Sequence, residues 1–189
     1  MKGTHVLMAG FGGQGVLLAA KILAQAGMDS GLEVSWLPSY GPEMRGGTAN
    51  AVVCLSPEPI ASPLVARPRA LVAMNRPSLE KFAPQVEAGG IIVVNRSLIE
   101  VPAGRDDCRV VGVDTRALAQ QAGNERAANL VALGAYVGAS GVLEPAAIER
   151  AIAVELGPDK ARFVQGSVAA FRAGLAAGSE ARAPEEVTS

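Results

Sequence analysis

The chain predicts an α/β fold, a single three-layer domain with a mostly parallel sheet and helices at its C-terminal end, on three observations. Short apolar runs (Val6-Leu7-Met8-Ala9, Ala70 to Met74, Ile91 to Val94) alternate with stretches of helical period. These runs carry almost no polar positions, as strands covered on both faces do. The first run passes through Gly10-Phe11-Gly12-Gly13-Gln14-Gly15 directly into an amphipathic run, Val16 to Ala26. Strand, glycine turn and helix is the order found in nucleotide-binding crossovers, which makes the expected domain Rossmann-like.

In chain order, strands are expected at Thr4 to Ala9, Glu33 to Leu37, Ala49 to Leu55, Ala70 to Met74, Ile91 to Val94 and Arg109 to Val113. Helices are expected at Gln14 to Ser30, Pro77 to Glu87, Arg116 to Ala122, Arg126 to Gly138, Leu143 to Leu156 and Asp159 to Ala177. The first is stopped by Gly31, and Leu79, Phe82 and Val86 give the second its apolar stripe. Pro38 to Thr48 is too rich in Gly and Pro for regular structure and reads as a loop. Residues 1–178 are expected to form the domain and 179–189, poor in apolar residues, a flexible tail.

The length of 189 residues suits one domain with a sizeable core. A formal net charge of -1 supplies neither a basic field for nucleic acid nor an acidic one for a cationic partner. Cys54 and Cys108 stand apart without His or Cys at ligand spacing, so they read as buried thiols in a reducing compartment and build no iron-sulfur or zinc site. The N-terminal residues run straight into the first strand, which leaves no room for a signal peptide. The most apolar stretch, Ala127 to Leu143, is interrupted by Asn129, Gly134, Gly138 and Gly141, a pattern for a buried helix and not a membrane span. A cytoplasmic protein that touches neither membrane nor nucleic acid is expected.

In the glycine turn, Gly10 allows a sharp exit from the strand, Gly12 lets a ligand or backbone approach without a Cβ in the way, and Gly15 lets helix and strand pack closely. The helix start would offer N-H groups to an anion. The same glycines also satisfy a tight turn with no ligand. A dinucleotide site further requires an acid about twenty residues on, at the end of the second strand. That strand runs instead into Pro38, Ser39 and Tyr40, which disfavours NAD.

The second informative stretch is Tyr40-Gly41-Pro42-Glu43-Met44-Arg45-Gly46-Gly47-Thr48. Its glycines free the backbone for close approach, and Arg45 could clamp a phosphate or carboxylate with two N-H groups, or pair locally with Glu43. With the glycine turn, Asn75 and Asn95, this loop falls at the carboxyl ends of strands, where ligands of such sheets bind. Elsewhere His5 starts the first strand and reads as structural. Cys108 has no base beside it, and Asp106-Asp107 reads as a solvated turn. Asn124, Glu125 and Arg126 read as residues of a helix start, and Asn129 as a side chain able to bond a neighbouring loop. No complete catalytic set is present, so no residue is assigned a catalytic or metal-binding role.

The segments Gly12-Gly13-Gln14-Gly15-Val16, Tyr40 to Thr48, Ser62-Pro63, Ala73-Met74-Asn75 and Asn129-Leu130-Val131-Ala132-Leu133-Gly134-Ala135 resemble the gamma subunit of 2-oxoacid:ferredoxin oxidoreductases, the family of pyruvate and 2-oxoglutarate ferredoxin oxidoreductases. The likeness runs from about Val6 to about Ala173. It implies a hetero-oligomeric enzyme that carries out reversible oxidative decarboxylation of a 2-oxoacid to an acyl-CoA, with ferredoxin as electron acceptor. Alpha and beta subunits hold thiamine diphosphate and magnesium, and a ferredoxin-like delta part holds iron-sulfur clusters. The gamma part packs on the thiamine subunits and helps bind coenzyme A, a co-substrate, and holds no cofactor alone. The residues expected at phosphates of coenzyme A or at the edge of the thiamine site are Gly12, Gly13, Gln14, Gly15, Arg45 and Asn75, with Tyr40 to Thr48 as the contact surface. The isolated chain is expected to be inactive and open to self-association. A stand-alone NAD-dependent oxidoreductase and a purely structural subunit are the competing readings.

Overall fold

The computed structural model describes residues 3–40, 48–100 and 105–182. The strands are β1 (Thr4–Phe11), β2 (Glu33–Tyr40), β3 (Thr48–Ser56), β4 (Ala70–Ala73), β5 (Ile91–Asn95) and β6 (Arg109–Val113). They form one sheet in the order β2-β3-β1-β4-β5-β6. β1, β4, β5 and β6 pair in parallel, while β3 lies antiparallel between β1 and β2. The helices are α1 (Val16–Asp29), α2 (Arg76–Phe82), α3 (Thr115–Gln121), α4 (Ala128–Ser140), α5 (Pro145–Leu156) and α6 (Val164–Glu180). The expected mostly parallel α/β architecture is therefore present. The insertion of β3 separates the two strands that the first crossover joins.

Several boundaries differ from expectation for identifiable reasons. β1 continues past Ala9 to Phe11 because β3 pairs with it to the end, Gly10 opposite Ala49 and Phe11 opposite Thr48. β2 likewise runs through Pro38 to Tyr40, and Thr48 opens β3, so both ends of the expected loop are strand. Pro38 fits because β2 is an edge strand, where a missing N-H need not break a ladder. The expected helix at Pro77 to Glu87 is α2 followed by a 3-10 turn, Ala83–Gln85, where Pro84 cannot continue the helical bonding. α4 is entered through another 3-10 turn, Glu125–Ala127, and α6 through Pro158–Phe163.

The side chains sort into two layers. Val6, Met8, Val53, Leu55, Val72, Val93 and Val111 face α1 and α4, which are backed by α3, α5 and α6. Leu7, Ala9, Leu71, Ala73, Ile92 and Val94 face Leu79 and Phe82 of α2. The second layer covers only the middle of the sheet. Toward its edge, on the same face by strand register, Phe11 and Leu37 are 38% and 41% exposed.

α4 is the centre of the helical layer, buried from Asn129 to Ala139. It packs on α6 through glycines on both helices. A Cβ at Gly134 or Gly138 would run into the carbonyls of Phe171 and Leu175, and one at Gly174 or Gly178 into those of Val131 and Ala135. Two helices meeting backbone to backbone leave no slack for a methyl group. Gly174→Ala is therefore expected to lower stability by about 1–3 kcal/mol, read from the midpoint of urea unfolding.

Near the end of α4, burial raises the Tyr136 phenol from 10.0 to about 12, against the smaller effect of hydrogen bonds with Thr4 and Ser140. The folded chain thus holds the phenolic proton more tightly than the unfolded chain. This contribution is complete below pH 10.0 and is lost as pH rises through about 12. Over that window Tyr136→Phe should show a shallower decline of stability with pH than the native chain, measured by denaturant unfolding at a series of pH values.

Candidate functional site

The rim at the carboxyl ends of β1, β4 and β5 is built around one carbonyl, that of Met74. The Met74 N-H donates to Ala9 at 2.8 Å, continuing the β1–β4 ladder by one residue. Its carbonyl accepts from Gln14 Nε2 and from Asn95 Nδ2, both at 3.2 Å. Gln14 Oε1 in turn accepts from the Phe11 N-H at 2.6 Å. Asn95 Oδ1 accepts from Thr115 Oγ1 at 2.7 Å and from the Ser97 N-H at 3.1 Å. Asn95 and Thr115 are buried, so these bonds satisfy polar groups that water does not reach.

The glycine turn obeys sterics that differ in part from the sequence reading. Gly10 is within β1 and is not its exit; a Cβ there would lie 2.6 Å from Gln14 Oε1 and 2.8 Å from the Met74 Cβ. Gly15 has φ 73 and caps α1, and its missing Cβ makes room for Asn129 of α4, not for a strand. Asn129 Nδ2 donates to the Gly15 carbonyl at 3.0 Å, the bond to a neighbouring loop that the sequence suggested. Gly13 has φ 95 with nothing within 4 Å of a Cβ position. Gly12 and Gly13 are exposed, and among the described residues their N-H groups have no backbone partner.

The expected site residues therefore separate by role. Gln14 has both ends of its amide engaged in bracing the turn, whereas Gly12 and Gly13 present open backbone. Asn75 is buried and caps α2, its Oδ1 accepting from the Ser78 N-H at 2.8 Å, while its Nδ2 has no hydrogen-bond partner. Arg45 and residues 41–47 lie outside the described residues. The strands that bracket them are placed: Tyr40 pairs with Ala49 and Thr48 with Phe11, so the segment leaves and rejoins the sheet at the end of the glycine turn.

Beside the turn is a cleft of ≈ 470 Å³, a volume suited to part of a small ligand. Gly13, Gln14, Asn95, Arg116 and Arg126 line it. Glu125 is also at its wall. Sequence reasoning treated the residues around 124–126 as a helix start and passed over Arg116. The available signal was that both arginines stand second in helical segments beyond β6, Arg116 in α3 and Arg126 in the 3-10 turn before α4. Asp114 secures that end, accepting from Ser97 Oγ at 2.6 Å and from the Ala117 N-H at 3.0 Å; these bonds hold its carboxyl below the ordinary carboxylate range.

Other candidates lie apart from the rim. His5 Nδ1 accepts from the Arg69 N-H at 3.2 Å near the opposite end of the sheet, a structural contact. Cys54 is buried and its thiol is pushed up by that burial, but Cys108 is only half-buried, held against Arg105. Asp107 pairs with Arg105 at 2.8 Å. Among the described residues no three His, Cys, Asp or Glu side chains cluster as metal ligands, and no helix is long and apolar enough to cross a membrane.

The rim defines an α/β crossover domain with an open glycine backbone and nearby cations. Residues 5–177 match the family model for pyruvate ferredoxin/flavodoxin oxidoreductase, and the chain belongs to that family. It is 46% identical over 130 residues to ketoisovalerate oxidoreductase subunit VorA of Methanothermobacter thermautotrophicus, covering 69% of this chain but 27% of that protein. It thus spans about a quarter of the length of that relative. It is 34% identical to 2-oxoglutarate synthase subunit KorC of Methanothermobacter marburgensis over 90% of this chain and 94% of that one. Among solved structures, the gamma subunit of a keto/oxoacid ferredoxin oxidoreductase from Geobacter sulfurreducens aligns with TM-score 0.78 and 30% identity over 93% of this chain and 98% of that one. A 2-oxoglutarate:ferredoxin oxidoreductase from Magnetococcus marinus with 2-oxoglutarate, coenzyme A and succinyl-CoA bound shares the fold, with TM-score 0.86 and 21% identity over 95% of this chain and 32% of that one.

The coupling of Gly15 to Asn129 is directly testable. Gly15→Ala is expected to cost about 1–3 kcal/mol, since the methyl group meets the Asn129 amide at a positive φ. Asn129→Ala should relieve part of that cost, giving an interaction energy of about 1 kcal/mol in a double-mutant cycle by urea unfolding.

Proposed function

We propose that this chain is the gamma-type part of a thiamine-dependent 2-oxoacid:ferredoxin oxidoreductase, helping to bind coenzyme A and packing on the thiamine-binding subunits. The correspondence over nearly the whole of both chains with KorC, a subunit of 2-oxoglutarate synthase, carries this reading. Within the complex, alpha and beta subunits would hold thiamine diphosphate and magnesium, and a delta part the iron-sulfur clusters leading to ferredoxin. Coenzyme A would supply the thiol that accepts the acyl group.

The residues of the rim suit such a role. Gly12 and Gly13 offer backbone N-H groups with no side chain in the way, and Arg116 and Arg126 place positive charge at the neighbouring cleft. Arg45, in the segment between Tyr40 and Thr48, would add a bidentate phosphate clamp. Gln14 and Gly15 would hold the turn in shape, and Asn75 Nδ2 would be a further donor. The contribution is positioning, which lowers the entropic cost of bringing the thiol to the reacting centre, without proton transfer by this chain. Phe11 and Leu37, exposed next to the Tyr40 to Thr48 segment, would be covered by the partner subunits. The end of β2 offers no acid for a ribose, which weighs against an independent NAD enzyme. Residence in the cytoplasm fits a ferredoxin-linked complex.

Arg45→Ala in the assembled complex should raise the apparent KM for coenzyme A by about tenfold, the loss of one charge-assisted contact, with subunit composition unchanged. Unchanged affinity together with unchanged assembly would refute the assignment.

A further inference from the structure

At the opposite end of the sheet from the glycine turn, a cavity of ≈ 540 Å³ opens among the starts of β1, β4, β5 and β6 and the last turn of α4. Three arginines line it, Arg69, Arg109 and Arg182, and no acidic residue does. Elsewhere in the chain Arg76, Arg105 and Arg172 each meet a carboxylate. Among the described residues Arg69, Arg109 and Arg182 meet none. Each guanidinium brings five N-H donors, and the side-chain hydrogen bond made in this group is Arg109 Nη1 to the Ala139 carbonyl at 3.1 Å.

The spacing of the group comes from the sheet. Ala70, Ile91 and Arg109 are in register across β4, β5 and β6, so Arg109 and Arg69, the residue before Ala70, stand on either side of β5, on strands about 10 Å apart along the hydrogen-bonding direction. Arg182 reaches the same space after α6, its guanidinium lying over Gly141, whose φ of 63 ends α4. Gly89-Gly90 and Gly141 leave the floor without side chains. Three separated guanidinium groups, unneutralised among the described residues, around a cavity of small-ligand size suit planar oxyanions bound at more than one point.

We infer that this cavity is a second ligand site, one that takes a small molecule carrying two or more phosphate or carboxylate groups. It is independent of the coenzyme A reading, since it lies at the other end of α4, a helix about 20 Å long.

Pyrophosphate and citrate, titrated calorimetrically into the full chain near neutral pH in moderate salt, test the inference and separate phosphate from carboxylate chemistry. Binding of at least one is expected. Arg69→Gln/Arg182→Gln should weaken it at least tenfold, and the charge-matched control Arg76→Gln/Arg150→Gln should leave it unchanged. Failure of both anions to bind, or equal weakening in the two variants, would overturn the site. In the unaltered chain, amide resonances of Gly89, Gly90 and Gly141 should shift on titration whether or not the double variant folds. Shifts confined to Gly12, Gly13 and Gly15 would place the anion at the glycine turn and likewise overturn it.

Discussion

The backbone contact between α4 and α6 sets the geometry on which the rest of the molecule depends. α4 has no solvent face, so it must be accommodated on every side, and the glycines at 134, 138, 174 and 178 let a second helix approach as closely as main chains allow. Such contact fixes both rotation and register of α4, because turning the helix would drive Cβ atoms into carbonyls. Fixing α4 then fixes Asn129 in its first turn, and Asn129 fills the space left by Gly15 and holds its carbonyl. The shape of the turn at the ligand rim is thus inherited from helix packing some distance away.

The rim adds a second level of constraint. Gln14, Met74, Asn95 and Thr115 stand at or just beyond the ends of four different strands, β1, β4, β5 and β6, yet their bonds converge so that the ends of neighbouring strands are tied together. A rim braced this way is held in one arrangement, because the side chains of Gln14, Asn95 and Thr115 already have partners. The same economy limits which groups remain available. Gln14 is spent on bracing, so in the proposed function recognition would fall to the open backbone of Gly12 and Gly13, to Arg116 and Arg126, and to Arg45.

Much of this was legible in the sequence. Apolar runs alternating with helical periods gave the parallel sheet, and the interruption of Ala127 to Leu143 by glycines correctly marked a buried helix. The position of β3 was not readable, since pairing partners depend on contacts distant in sequence and a buried antiparallel strand has the same apolar pattern as a parallel one. Pro38 argued locally for a loop, and only its place on an edge strand removes the objection. At the site, spacing located the glycines but not their neighbours. That Gly15 accommodates an asparagine 114 positions away is a fact of packing that no local pattern encodes.

Family membership and site chemistry answer different questions here. The match over residues 5–177 fixes the lineage, and relatives in which the domain is a whole subunit stand beside one in which it occupies about a quarter of a longer chain. The edge at the glycine turn, where Thr48 pairs with Phe11 and the Phe11 and Leu37 side chains remain exposed, is the one on which the proposed packing rests. On the proposed function, this domain would act by holding a co-substrate against chemistry supplied by others, and the rigidity imposed by α4 would make such positioning effective.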